Sequence, residues 1–320
     1  MDDKTTHRET WWIDSTGGRR LFVRGFRPPP PFGPETPGVS LAIVPGFSDH
    51  SGRYEPIVAR LRSRLARPLH VFAVDTRGHG RSDGPRGHIE RFDDFLDDVD
   101  ALLADVQRLR PADPLFLYGH SMGGLIVLSY LASRRLAARA LAGGVAGSSW
   151  LRLAARLPPL KVKAARALSR LVPWFPMKSD LDVRWLSRDE AVGAAYLADP
   201  LVHRTATPRL YTEVTARGAR LLAGPLDLPC PVLFYHGGGD RVTDPAATRE
   251  AYERAVAPEK KLAIYDGAYH EVHNDPANDD LARDLAAWID AHAPAPGAAA
   301  APGAPAAAPQ ARTSPFESPA

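Results

Sequence analysis

The sequence predicts an α/β fold: a mostly parallel sheet with helices on both faces and one inserted helical cap. Three observations predict it. Short, continuously apolar runs recur between helical stretches, and a strand buried on both faces needs such a run. The tight turns rich in Gly, Asp and His, at 45–48, 75–82, 119–123 and 237–240, follow the C-terminal ends of those runs. Ligands bind at that edge of such sheets. Finally, residues 148–208 interrupt the alternation and read as helix and loop throughout.

With 320 residues, 44% of them hydrophobic, one large domain with an insertion can bury a sizeable core. A net charge of +3 is small for this length and does not suggest nucleic-acid binding. The single cysteine, Cys230, lies between prolines at the start of an apolar run and reads as a buried, inert thiol. Met1 to Thr10 is polar, without the apolar core of a signal peptide, and no apolar run is long enough to span a bilayer. The expectation is a cytoplasmic protein, peripheral to a membrane at most.

In chain order, Trp11–Ile13 and Leu21–Val23 flank Asp14-Ser15-Thr16-Gly17-Gly18 and read as a hairpin. Pro28 to Pro37 is a proline-rich connection. Val39–Val44 is a buried strand, Tyr54–Leu65 a helix, and Leu69–Val74 another buried strand. Phe92–Leu109 is a long helix whose apolar residues keep helical period, with aspartates opposite. Ala140–Ala146 is a strand of small residues. Pro231–His236 and Lys261–Tyr265 are the last strands, with helices at Thr248–Val256 and Leu281–Ile289. The expected division is a core of 1–147 and 209–292, a cap at 148–208, and an Ala/Pro-rich tail at 293–320 too poor in apolar surface to fold.

The chemistry centres on Leu115–Val127. A strand-like run enters Gly119-His120-Ser121-Met122-Gly123, and a run of helical spacing leaves it. This is the strand–turn–helix context of a nucleophile elbow. Glycine two before and two after Ser121 removes Cβ atoms that would clash in so tight a turn. Serine needs a base. His270, just after the last strand, is the candidate base, and Asp240, ending the strand before it, the candidate orienting acid. His273 and Asp244 are the nearest rivals; Asp244 precedes Pro245, where a helix N-cap role is natural. Histidines 50, 79, 88, 120, 203 and 236 read mostly as structural. An oxyanion needs two backbone N–H donors: Met122 after the nucleophile, and Phe47 in the loop after the early strand.

With these residues in place, the chain resembles the monoacylglycerol lipase and lysophospholipase branch of the α/β-hydrolases. The resemblance rests on Gly46–Tyr54, Asp75–Gly84, Gly119–Gly124 and Gly267–His270, in that order, and spans Trp11 to His292. It implies the α/β-hydrolase fold, with Ser121 as nucleophile, Asp240 as acid, His270 as base, and Phe47 and Met122 as oxyanion donors. It implies no metal or organic cofactor. Pro45-Gly46 stands where the family usually has His-Gly, which keeps the amide donor and stiffens the loop. Arg77 and His79 are expected to brace the oxyanion and nucleophile loops.

Between Trp150 and Lys178 there is no acidic residue. Leu160, Ala164, Leu168, Leu171 and Phe175 share one helical stripe, and Lys163, Arg166 and Arg170 another. The apolar stripe can pack on the core, the basic one can meet an anionic membrane transiently, and both can hold. The expected substrate is an ester of a single acyl chain, foremost monoacylglycerol. Lysophospholipase and general carboxylesterase activity remain open on this scaffold, as does a non-catalytic ligand-binding role. Dehalogenase or epoxide-hydrolase chemistry needs Asp at position 121.

Overall fold

In a computed structural model of the protein, residues 8–28, 31–33, 36–133, 135, 140–155 and 158–293 are described. The expected tail lies outside them from residue 294 onward, as do residues 1–7 of the expected core and parts of the proline-rich connection.

The strands are β1 (Arg8–Ser15), β2 (Arg19–Phe26), β3 (Val39–Val44), β4 (Leu69–Val74), β5 (Leu115–His120), β6 (Gly143–Gly147), β7 (Met177–Lys178), β8 (Thr205–Ala206), β9 (Leu226–Asp227), β10 (Val232–Gly237), β11 (Ala255–Val256) and β12 (Lys260–Tyr265). The helices are α1 (Glu55–Arg62), α2 (Asp93–Leu109), α3 (Met122–Leu131), α4 (Pro159–Leu171), α5 (Glu190–Ala198), α6 (Pro208–Ala223), α7 (Pro245–Arg254) and α8 (Asn278–His292). Among the described residues, eight strands form the main sheet in the order β1-β2-β4-β3-β5-β6-β10-β12. The hairpin β1–β2 adds antiparallel to β4. Every pairing from β4 to β12 is parallel.

The sheet splits its apolar residues by strand period. Ala42, Val44, Leu115 and Leu117 point to one core, with α2, α3, α6 and α7. Leu41, Ile43, Phe116 and Tyr118 point to the other, with α1 and α8. Two covered faces explain why β3, β4 and β5 are buried at every residue.

Some elements differ from expectation. Helix α6 lies between the expected cap and the expected strand at Pro231, where no element was foreseen; Thr207 caps it, with Pro208 at its start. Helix α7 begins at Pro245, because the Asp244 side chain accepts from the Ala246 N–H. The stretch 148–208 is not free of strands: β7 and β8 pair antiparallel, Met177 opposite Ala206. Two residues are too few for a period to register in sequence. The stripe expected on α4 also divides: Leu168 is half-buried, but Leu160 and Leu171 are 78% and 74% exposed, and Trp174 and Phe175 beyond it are 65% and 54% exposed.

Backbone approaches very closely at the elbow. A Cβ on Gly119 would lie 2.2 Å from the Gly123 carbonyl oxygen, and one on Gly123 2.0 Å from that of Val44. Both obstacles are backbone, so neither can swing aside. We expect Gly123→Ala to lower the unfolding free energy by about 3 kcal/mol or more, read by urea denaturation. Unchanged stability would contradict the packing described.

Candidate active site

Ser121 joins β5 to α3 with φ +56°, a left-handed conformation that non-glycine residues adopt at some cost. The strained turn lifts its side chain off the sheet. Its Oγ lies 3.0 Å from Nε2 of His270, whose Nδ1 is 2.7 Å from Oδ2 of Asp240. The three lie on three segments far apart in sequence and are all buried. Rivals His273 and Asp244 are elsewhere: His273 stacks on Tyr54, and Asp244 caps α7.

The electrostatics suit proton transfer. Burial resists charging His270, but the Asp240 carboxylate and their hydrogen bond outweigh it and raise the imidazole above its ordinary value. Burial favours the neutral form of Asp240, yet His270 and His236 hold its carboxyl well below the usual carboxylate range. Asp240 is thus an anion ready to stabilise an imidazolium.

Gly46 packs so close that a Cβ on it would lie 3.1 Å from Cβ of Ser121, bringing Phe47 to the same cavity. Met122 opens α3, where the first amides have no partner within the helix. Among the described residues these are the two expected donors, and the helix end favours negative charge.

Above Ser121 lies a cavity of about 520 Å³, a usual size for a small-molecule site. Ala164, Ala165, Leu168, Met177, Leu181 and Leu186 give it an apolar wall, and Asp49, His120 and Glu271 polar points. Arg53 joins the two sides of the site: it donates to Glu271 at 2.7 and 2.9 Å and to Asp49 at 3.1 Å. Burial opposes a charge on Glu271, but Arg53 holds its carboxyl well below the usual range.

Asp49, His120 and His273 form a buried trio whose candidate ligand atoms lie within 4.8 Å of one another. Arg53 already engages one carboxylate oxygen of Asp49.

The sequence matches the family described as serine aminopeptidase, S33, over residues 35–277, which include Ser121, Asp240 and His270. The chain belongs to this family. It is 33% identical to a monoacylglycerol lipase of Mycolicibacterium smegmatis over 255 residues, covering 79% of this chain and 88% of that protein. It is 30% identical to the human monoglyceride lipase over 283 residues, 85% of this chain and 87% of that one. The crystal structure of the Paleococcus ferrophilus monoacylglycerol lipase superimposes with a TM-score of 0.73 at 29% identity, covering 85% of this chain and 99% of that one. These relatives place the chain in the monoacylglycerol lipase branch of the α/β-hydrolases, as its motifs imply.

Within this family member, two supports of the site were not legible in its motifs. The stretch 185–188 straps the loop bearing His270. The Trp185 carbonyl accepts from the His270 N–H at 3.2 Å, and the Leu186 carbonyl from the Glu271 N–H at 2.7 Å. Arg188 donates to Asp275, whose carboxylate also accepts from the Tyr269 N–H. The second support is His236, 2.9 Å from Asp240. One expected brace is corrected: Arg77 donates to Asp98 of α2 and to Ser15 of the hairpin, because Asp98 is the buried carboxylate within reach. His79 does lie edge-on to Phe47, with ring centroids 6.0 Å apart.

Burial, with little compensation, pushes His79 down to about 3 and His273 to about 4. Both stay neutral in the folded protein where the unfolded chain, near 6.5, takes up protons. Their contribution is present above about pH 6.5 and is lost as pH falls below it. Burial lowers His70, His120 and His203 in the same way, and His270, raised, works in the opposite sense but is outnumbered. The melting temperature should fall by at least about 3 °C between pH 7 and pH 5, read by calorimetry. A higher value at pH 5 would contradict this balance.

Proposed function

We propose that the protein is a serine ester hydrolase that cleaves monoacylglycerol to glycerol and fatty acid. The observation that carries the proposal is the Ser121–His270–Asp240 relay opening beneath an apolar cavity. The family relatives support the substrate class.

His270 takes the Ser121 proton through Nε2 as Oγ attacks the ester carbonyl. The Phe47 and Met122 amides receive the oxyanion, and each such donor is typically worth about 2.7–4 kcal/mol. Asp240 keeps Nδ1 protonated and stabilises the imidazolium. His270 then protonates the leaving alcohol. Water, deprotonated by the same histidine, attacks the acyl-enzyme and frees the acid. The apolar wall suits an acyl chain, and the polar points at Asp49, His120 and Glu271 suit the hydroxyls of a glycerol end.

In this reading residues 148–208 are a cap on a core made of 1–147 and 209–292. Leu160, Leu171, Trp174 and Phe175, exposed beside Lys161, Lys163, Arg166 and Arg170, fit a transient hold on an anionic lipid surface from which an amphiphile enters. Among the described residues no helix is long and apolar enough to cross a membrane.

Two outcomes are expected. A panel of monoacylglycerols, lysophosphatidylcholine and p-nitrophenyl esters should show turnover of medium or long monoacyl chains, with kcat falling at least about 10³-fold in Ser121→Ala. Preference for acetyl esters, or for lysophosphatidylcholine over every monoacylglycerol, would overturn the substrate assignment. Replacing Leu171 and Trp174 together by serine should weaken binding to phosphatidylglycerol vesicles by about tenfold or more. Unchanged binding would remove the membrane role of the cap.

A further inference from the structure

The strand that leads to Asp240 carries a second imidazole. His236, the penultimate residue of β10, is fully buried, and its Nε2 lies 2.9 Å from Asp240 Oδ2, the same oxygen that takes His270 Nδ1. A carboxylate oxygen carries no proton, so both imidazoles donate to it. The other nitrogen of His236, Nδ1, is 2.7 Å from Oγ1 of Thr248 in α7. A hydroxyl that gives its proton to Nδ1 leaves the hydrogen of His236 on Nε2, aimed at Asp240. The remaining oxygen, Oδ1, accepts from the Val242 and Thr243 N–H groups at 2.7 and 3.1 Å. Thr243 Oγ1 lies 2.9 Å from Oδ2 and 3.0 Å from the Ser148 carbonyl.

We infer that His236 is a positioning residue for the hydrolysis, acting through Asp240 to set both the orientation and the basicity of His270. The inference rests on the triad reading above. The backbone amides hold one oxygen of the carboxylate, and a planar group held at one oxygen can still pivot. The Nε2–H of His236 holds the second, beside the Thr243 hydroxyl, and keeps it in line with His270 Nδ1. The same bond has an electronic consequence. Two imidazoles share the charge of one oxygen, so each feels less of it than it would alone. Without the His236 donor, Asp240 binds the His270 imidazolium more tightly, and His270 becomes more basic. Its neutral, proton-accepting form is then scarcer at a given pH.

Thr243 Oγ1 also faces His270 Nδ1, at 3.2 Å, but its single proton is within reach of the Ser148 carbonyl as well. The charged and titratable groups facing His270 do not duplicate the role of His236. His120 of β5 lies ring to ring with it at 4.8 Å, and the charges of Asp49 and Glu271 act from the oxyanion side, both tied to Arg53. None of them touches Asp240 in the contacts described.

The test is the pH profile of kcat/KM on p-nitrophenyl decanoate for the full chain, with kcat normalised to sites titrated by a fluorophosphonate. In His236→Leu the acidic limb should move up by about 0.5 pH or more, and kcat should fall about tenfold or more with KM within about twofold. His236→Gln, which keeps a side-chain N–H in reach, should restore the wild-type limb. A purely structural role would lower the titrated fraction and leave the limb in place. Should His236→Leu not fold, Thr248→Val removes the hydroxyl at Nδ1 and should move the limb in the same direction, by less. An unmoved limb in whichever of these two variants folds overturns the inference. Should Ser121→Ala stay active, the triad reading itself fails; an inactive Ser121→Ala with an unmoved limb refutes only the role of His236.

Discussion

The chain around Ser121 has no room for side chains two residues before and two residues after it. Gly119 and Gly123 press against backbone carbonyls, Gly123 against the end of β3. This closeness fixes where the end of β3, the end of β5 and the start of α3 lie relative to one another. The loop after β3 then lies against Ser121, and Gly46 and Phe47 line the same cavity as the serine.

Around that fixed point the site is assembled from buried charges that persist only because each is paired. Removing one partner of such a pair typically costs about 3–5 kcal/mol, whereas exposed pairs contribute little. Arg53 therefore does more than neutralise Glu271 and Asp49: it ties the loop after β3 to the loop of His270. Asp275 likewise ties that loop to Arg188. Because the Trp185 and Leu186 carbonyls also hold the backbone at His270, residues above the cavity and the imidazole below it share one hydrogen-bonded support. A displacement of that upper stretch would reach His270 directly.

Much of this was legible in the chain. Strands covered on both faces must be apolar at every position, so Val39–Val44 and Leu69–Val74 appear at their observed bounds. The site residues were legible because each follows a strand end with a turn of restricted composition. Helix α6 was missed although Thr207-Pro208 signals its start, since it follows an irregular stretch and faces the core with only a few residues such as Leu210 and Val214. Periodicity also placed Leu160 and Leu171 on one stripe with Leu168 but could not say which side would face protein. His236 and the 185–188 strap carry no motif, because their roles arise from contacts across 87 residues or from a neighbour four positions away.

In the reaction proposed, one strained serine, and no other nucleophile, receives the acyl group. Peptide mapping by mass spectrometry after labelling with an alkyl fluorophosphonate tests it most directly. A single adduct per chain is expected, on Ser121, and it should form more slowly when p-nitrophenyl decanoate is present in excess. An adduct on another residue, or none at all in folded protein, would contradict it.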